Sequence, residues 1–390
     1  MENEYFLNKL DHIVILGTGI DALRCTYELA SNYEIQPEYY IVNDCKQNEF
    51  VGHRVFECDK KHIEEKYVLV ATSEAAYSEI QKQFISIGLE EFKDFIFYEW
   101  LFKKLVLLHG NCHLDVVESY LRSSNLFCER YAIYPNPRIC FNTSKRIPLE
   151  VLENVDLWIH EDIQDKNGYG YALSDNFLKS YIKKSAVEIV IPHLFGFGKL
   201  LFPYSENNKN NEALSNNVDK NGMFPHSDQL IDTCVERGFS VERIIEYCMS
   251  ENAMSEEEVT ENFKLYMDKI RIREAQWDIK IYDFIKNNYK KRKLFFDIGH
   301  PTNVIFEYIT KSILDILKID DDIAANIQLD WHEVPVYPTV KKHLQLEWSE
   351  DKIRKSKKAK RISNKMDTQQ YIREYLFWCY HMPVGGLREL

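Results

Sequence analysis

"KKLVLLHGNCHLDVVESYL", residues 103–121, decides how the chain is read. Leu105 to Leu108 form an apolar run too short and too β-like for a helix. From Leu114 onward the spacing changes: Leu114, Val117, Tyr120 and Leu121 share one helical face. The stretch therefore predicts strand, turn, helix. Gly110, Asn111 and Cys112 fall in the turn, bracketed by His109 and His113, with Cys112 near the helix start. A thiol there is either a small buried hydrophobe or a nucleophile.

The same alternation extends in both directions. Upstream, "HIVILG", "EYYIVND" and "YVLVAT" read as strands, "IDALRCTYELASN" and "EAAYSEIQKQFISIG" as helices, and "FKDFIFYEW" closes the unit. Downstream the candidate strands are "FCERYAIY", "VDLWIH", "AVEIVIP" and "KLFFDI". Strands alternating with helices imply parallel sheets with right-handed crossovers. The expected class is α/β, with two doubly wound parallel-sheet units. The first spans residues 1–102 and the second 103–345, the latter interrupted by a helical insertion at about 228–290. Residues 346–390 hold a basic run and a final amphipathic helix from Thr368 to Tyr380. The Asn- and Ser-rich stretch 203–222 reads as a loop, a lid if it folds over a site.

Composition removes several function classes. The chain has 390 residues, 49 basic against 61 acidic, for a formal net charge of −12. Such an acid excess argues against nucleic acid as a partner. The start "MENEYFLNKLDHIVILG" lacks the basic-then-apolar order of a signal peptide, and no run reaches membrane-span length. The nine cysteines are scattered, with no pair at metal spacing. Reduced thiols, a cytoplasmic location and no metal are expected.

"GTGIDA", Gly17 to Ala22, follows a strand and opens a helix, the context of a dinucleotide fingerprint. Gly17 and Gly19 are candidate nucleotide contacts, and Asp44, at the end of the next strand, is the candidate ribose acid. The segment "NDCKQNEFVGHRVFECDKK" is unlike a dehydrogenase. It resembles the small nucleotide-sugar-associated domains fused to sugar-modifying enzymes. A packing or docking role is the competing reading.

A second motif bears on Cys112. In "RKLFFDIGHPTNVIFEYITKSIL", residues 292–314, an apolar strand is expected to end in Asp297-Ile298-Gly299-His300, with Pro301 opening a helix. Asp and His three apart in a turn place both side chains at the sheet rim, where α/β folds bind ligands. The chemistry requires such a set. A cysteine attacks as thiolate, and at a free pKa of about 8.5 little is ionised at neutral pH. A helix start contributes only about 0.3–1 kcal/mol. A neighbouring imidazole does more by taking the proton. His300 is the candidate base, Asp297 its orienter, and His109 and His113 are rival bases. Gly110 and Asn111 supply donors for an oxyanion, each worth about 2.7–4 kcal/mol in measured cases.

Strand, "GNC", helix, then "DxxHPTN" resembles the WcbI-type polysaccharide biosynthesis enzymes, regarded as acetyltransferases that bind coenzyme A. More distantly it resembles the SGNH hydrolase architecture, with cysteine in place of serine. The resemblance covers roughly residues 104–345, including "FPHSDQLIDTCVERGFSVERIIEY", "REA" and "VPVYPTVKKHL". It implies that Gly110, Asn111 and Cys112 belong to an acyl-transfer site, and that Asp297, His300, Thr302 and Asn303 face it. It implies coenzyme A or acetyl-CoA as donor, with His109, His113, Thr302 and Asn303 as candidate donor contacts. At His113 the chain departs from the glutamine expected there.

His160, in "VDLWIHEDI", and His226 and Asp228, after the polar loop, are further candidates for substrate contact. "PHLFGFG", residues 192–198, suits a pocket wall. The run 352–361 has seven Lys or Arg in ten positions. It reads as a solvated surface, with peripheral docking on anionic lipid as the alternative. A homo-oligomer is compatible with the chain. The leading expectation is transfer of an acyl group, acetyl foremost, from coenzyme A to a sugar hydroxyl in surface polysaccharide biosynthesis. An esterase or thioesterase using the same Cys-His-Asp set is the second reading. A non-catalytic nucleotide-sugar-binding scaffold is the third.

Overall fold

The fold is taken from a computed structural model. It describes residues 6 and 8–384, apart from 137, 140–145, 165–167, 205–223, 225, 325–326, 330, 332, 349–352 and 355–364. The expected polar loop, from residue 205 on, lies outside the described residues. So does the basic run 352–361, but for Ile353 and Arg354. The chain forms two compact units. One comprises residues 1–114 and 124–189, the other 115–123 and 190–390.

The first unit carries two sheets. One sheet is built from β1 (Ile13–Leu16), β2 (Tyr39–Val42), β3 (Glu49–Phe50), β4 (His53–Glu57), β5 (Tyr67–Val70) and β6 (Phe95–Phe97). Its order is β3-β4-β2-β1-β5-β6. All pairs are parallel except the β3–β4 hairpin. β1 and β5 are buried at every position, as strands covered on both faces must be. Without the hairpin strand this is the doubly wound order, with the direction of winding reversing between β1 and β5. The second sheet contains β7 (Lys104–His109), β8 (Tyr131–Ile133), β9 (Leu157–Glu161) and β10 (Val187–Ile191), in the order β10-β9-β7-β8. β7 runs parallel to both β8 and β9, with His109 opposite His160.

One apolar core joins the two sheets. It runs from β1 and β5 through Trp100 to Leu105, Leu107, Tyr134 and Trp158. Trp100 stacks on Phe92 and touches Tyr134 at a centroid distance of 5.0 Å. Position 102 thus marks a change of sheet rather than a gap in packing. The second unit is mostly helical. Its core gathers the helices Gln229–Glu236, Val241–Cys248 and Thr368–Tyr380 around Tyr371, Tyr375 and Leu376. Among the described residues no helix is long and apolar enough to cross a membrane.

Three local expectations need correction. "FCERYAIY" is not one strand. Phe127–Arg130 belong to the helix Asn125–Arg130, because the Ser124 hydroxyl accepts the Phe127 N–H at 3.1 Å and caps it. "KLFFDI" joins neither parallel sheet. Its backbone closes a tight loop, Phe296 N–H to the His300 carbonyl and Thr302 N–H to the Leu294 carbonyl, both 2.8 Å. Among the described residues, its other backbone partners are the single N–H groups of Val334 and Gly198 rather than a strand. The Asp-His motif is therefore not on a sheet rim. Pro301 sits in this loop, bridged to Phe295, and the helix begins later, at Asn303–Ile316.

Gly17 shows why the first glycine turn is tight. Its φ is +127°, and a Cβ there would lie 2.5 Å from the Ala71 carbonyl oxygen. At Gly19 a Cβ would meet nothing within 4 Å. We expect Gly17→Ala to destabilise the full chain by about 1–3 kcal/mol, with Gly19→Ala close to neutral, in parallel thermal and urea unfolding. Equal losses at the two positions would show that the turn is not limited by this contact.

Candidate functional site

β7, in the first unit, delivers the turn that carries Cys112, and the helix His113–Arg122 follows that turn directly in the chain. Asn111 shapes the turn. Its side-chain oxygen accepts the His113 N–H at 2.8 Å, which caps the helix start. Its own N–H donates to the Glu161 carboxylate at 2.9 Å. Glu161, the last residue of β9, is fully buried. A Cβ on Gly110 would lie 2.8 Å from Glu161 Oε2 and 2.7 Å from the Leu114 side chain. Glycine at 110 is thus what lets this carboxylate reach the turn. Cys112 is partly exposed, unlike Cys25, Cys234, Cys248 and Cys379, which are buried. A partly exposed thiol at the start of a ten-residue helix is where a thiolate gains from the helix dipole.

The two rival bases beside it are enclosed. His109 is inaccessible, and its Nε2–H donates to the Leu173 carbonyl at 2.8 Å. Burial lowers its pKa and keeps the ring neutral. His113 is also buried, with Nδ1 3.5 Å from Glu161 Oε1. His160 is a different case. It stacks on Trp158 at 3.6 Å, with Nδ1 3.3 Å from Asp175 and Nε2 3.3 Å from Glu188. Burial disfavours its charge, but the two carboxylates outweigh that and raise its pKa to about 9. The same pairing draws Glu188 down to about 2. With both ring nitrogens engaged inside the unit, His160 is a charged strut between β9 and its surroundings.

The nucleotide candidates lie elsewhere in this unit. Gly17 packs on Ala71 and Gly19 precedes the helix Ile20–Tyr33. Asp44 is exposed and pairs with Lys46 at 2.8 Å.

In the second unit, Asp297 and His300 form a clamp. Asp297 is fully buried. Its Oδ1 accepts the N–H groups of Gly299 and His300, each at 2.7 Å. Its two oxygens also face His300 Nδ1, at 3.0 and 2.8 Å. Burial alone would raise the Asp297 pKa, but the bonds from His300 and Gly299 and the nearby rings bring it below its ordinary value. A carboxylate at Nδ1 puts the ring hydrogen there and makes Nε2 the proton-accepting nitrogen. His300 is partly exposed and lies against Trp331 at 4.6 Å.

The other second-unit candidates have clear local roles. Thr302 donates to the Lys293 carbonyl at 2.9 Å, and Asn303 donates to the Ile327 carbonyl at 2.8 Å. Both brace the segment that follows the clamp. Asp228 caps the helix Gln229–Glu236 and accepts the Tyr337 hydroxyl at 2.7 Å. Complete burial raises its pKa to about 7. This places it in the tyrosine-lined core rather than at a surface. His226 lies 3.9 Å from Asp297 Oδ2, too far for a hydrogen bond. Burial takes its pKa down to about 4, so the ring is neutral.

Sequence reading missed Glu161, although it directly follows His160, which was singled out. A carboxylate in the last position of an otherwise apolar strand was the available signal. It also missed Arg138, which is buried and donates to the carbonyls of Leu108 and Asn136. Nothing in the local pattern marks that residue.

Comparison with known proteins agrees with this architecture. The family described as "Polysaccharide biosynthesis enzyme WcbI" matches residues 105–322, more than half of the chain. The chain belongs to the WcbI polysaccharide biosynthesis enzyme family. Among solved structures, a WcbI structure superposes with a TM-score of 0.57 at 17% identity, covering 72% of this chain and 91% of the other. It is described as a novel polysaccharide biosynthesis enzyme, in a native form without a disulfide bond between coenzyme A and one of its cysteines. No curated protein matches the chain at a significant level.

The His160 strut gives a pH signature. Its folded pKa, about 9, lies above the ordinary 6.5. The pairing therefore contributes fully below pH 6.5, by about 3 kcal/mol, and fades as pH rises through 9. We expect His160→Gln to lower the stability of the full chain by roughly that amount at pH 6, and by much less at pH 10. Thermal melts at the two pH values check this. A loss that does not change with pH would assign the effect to packing on Trp158 instead.

Proposed function

We propose that this protein is an acyl-CoA-dependent acyltransferase that moves an acyl group, acetyl foremost, to a sugar hydroxyl in polysaccharide biosynthesis. The observation that carries the reading is the Asp297–His300 clamp. A buried carboxylate holds Nδ1 and orients Nε2 as a base, the arrangement that deprotonation of a hydroxyl requires. The family supports polysaccharide biosynthesis as the setting. The solved relative's association with coenzyme A and a cysteine supports the donor.

Cys112 fits a thiol-bearing donor by its own geometry: it is partly exposed, at a capped helix start, with glycine before the cap residue. Two routes use it differently. In the first, the Cys112 thiolate attacks the donor's thioester carbonyl. A Cys112 thioester forms, the bond to the coenzyme A sulfur breaks, and that sulfur leaves as a thiolate that takes up the proton Cys112 gave up to a base on ionising. The sugar hydroxyl then attacks the carbonyl of that thioester, giving its proton to His300 Nε2; the bond to Cys112 Sγ breaks and the cysteine is released as a thiolate. In the second, Cys112 only seats the donor and the hydroxyl attacks the donor directly, with the same base. Cys112 belongs to the first unit and the clamp to the second. That both serve one reaction is part of the proposal.

Calorimetry with coenzyme A and acetyl-CoA is the first test. Micromolar binding is expected, and binding of neither ligand would sink the reading. Given binding, His300→Ala is expected to lower kcat for transfer by about 10²–10⁴-fold. Cys112→Ala is expected to match that loss on the covalent route, and to affect mainly KM for the donor on the direct one. Hydrolysis of acetyl-CoA at the same rate with and without sugars would point instead to a thioesterase.

A further inference from the structure

Phe195 is half exposed, at 52% of its surface. A single exposed aromatic is ordinary. This one is fixed in place beside the base. A Cβ on Gly299 would lie 2.8 and 2.9 Å from two carbons of the Phe195 ring. The ring is therefore seated on the glycine between Asp297 and His300. Three residues further on, Gly198 closes the other side. Its N–H donates to the Ile298 carbonyl at 3.1 Å, and a Cβ there would lie 2.0 Å from the Asp297 carbonyl oxygen. Phe195 is anchored to the catalytic turn at both ends of its loop.

Polar groups flank the ring. His226 meets it edge to face at 6.4 Å, and its Nε2 has no hydrogen-bond partner among the described residues. Tyr204 lies 6.5 Å from His226, with Lys199 Nζ 4.0 Å from the Tyr204 ring centroid. An acyl chain would call for an enclosed apolar slot. A half-exposed aromatic ring with a neutral imidazole against it, and a phenol and an ammonium next in line beyond that imidazole, suits a ligand that is apolar on one face and polar around its rim. A pyranose ring is built that way. Its axial C–H bonds carry a slight positive charge that the negative face of an aromatic ring attracts, and its hydroxyls require polar partners.

We propose that Phe195 is the platform for the sugar acceptor, a pyranose stacking its C–H face on the ring with its hydroxyl edge toward His226 and Tyr204. The proposal rests on the acyl-transfer reading for the chemistry done there, but its binding test needs no coenzyme A. Saturation-transfer NMR on the full chain, with methyl glucoside, methyl galactoside and methyl mannoside as probes, is expected to show transfer to ring C–H protons of at least one. Phe195→Leu keeps an apolar side chain over Gly299 and removes the aromatic face. It is expected to weaken binding about tenfold, while Phe195→Tyr retains it. His226→Gln is expected to weaken binding without changing which C–H protons saturate. No saturation from any of the three probes, or equal saturation in wild type and Phe195→Leu, would overturn the platform. Sugar binding that depends on Phe195, in a protein that binds no coenzyme A, would sink the acyl-transfer reading and leave the platform standing.

Discussion

A carboxylate shut away from water holds the thiol-bearing turn. Glu161 sits at the end of β9, fully buried, and accepts the Asn111 N–H at 2.9 Å. A buried carboxylate is costly to leave unpaired, so its partners are fixed strongly once it is in place. Gly110 has no side chain because Glu161 occupies that space. Asn111, held by its N–H, turns its side-chain oxygen onto the His113 N–H and starts the helix. Cys112 is positioned between these two contacts without making either of them.

The second unit solves a similar problem by other means. Asp297 is equally buried, but it is satisfied within four residues, by two N–H groups and one imidazole. Its orientation depends on local turn geometry, and a sheet is not required. His300 keeps partial exposure while its Nδ1 is locked, which is the combination a general base needs.

Much of this was legible in the chain. β1, β5 and β7 are short apolar runs bounded by turn residues, and their neighbours have helical spacing, so the α/β class follows from period alone. The Thr368–Tyr380 helix matches because Asp367 caps it clearly. The hairpin β3–β4 was not read, since its turn is Val51-Gly52 rather than a pair that favours such turns. "KLFFDI" looked like a strand for a good reason, its apolar run. Its backbone folds back on itself at 296–300 and 294–302 and meets only single N–H groups from elsewhere among the described residues, which no periodicity reveals. In each unit the candidate residues, Gly110 and Cys112 in one, Asp297 and His300 in the other, were readable because each group follows an apolar run. Glu161 was hidden because its importance comes from the neighbouring strand, across the β7–β9 pairing.

Gly198 and Gly299 bear on how such a protein can diversify. Both stand where a single methyl group would collide with backbone or with a ring, so the loop 195–198 and the turn 297–300 behave as one rigid block. A side chain added at either glycine would shift the Phe195 loop and the Asp297–His300 turn together. Tyr204 and His226 stand outside it, attached through ring contacts several ångströms long. Side-chain size and polarity can therefore drift there while the Asp297–His300 pair stays as it is. A lineage built on this plan can vary the polar neighbourhood of the ring without first rebuilding the turn beneath it.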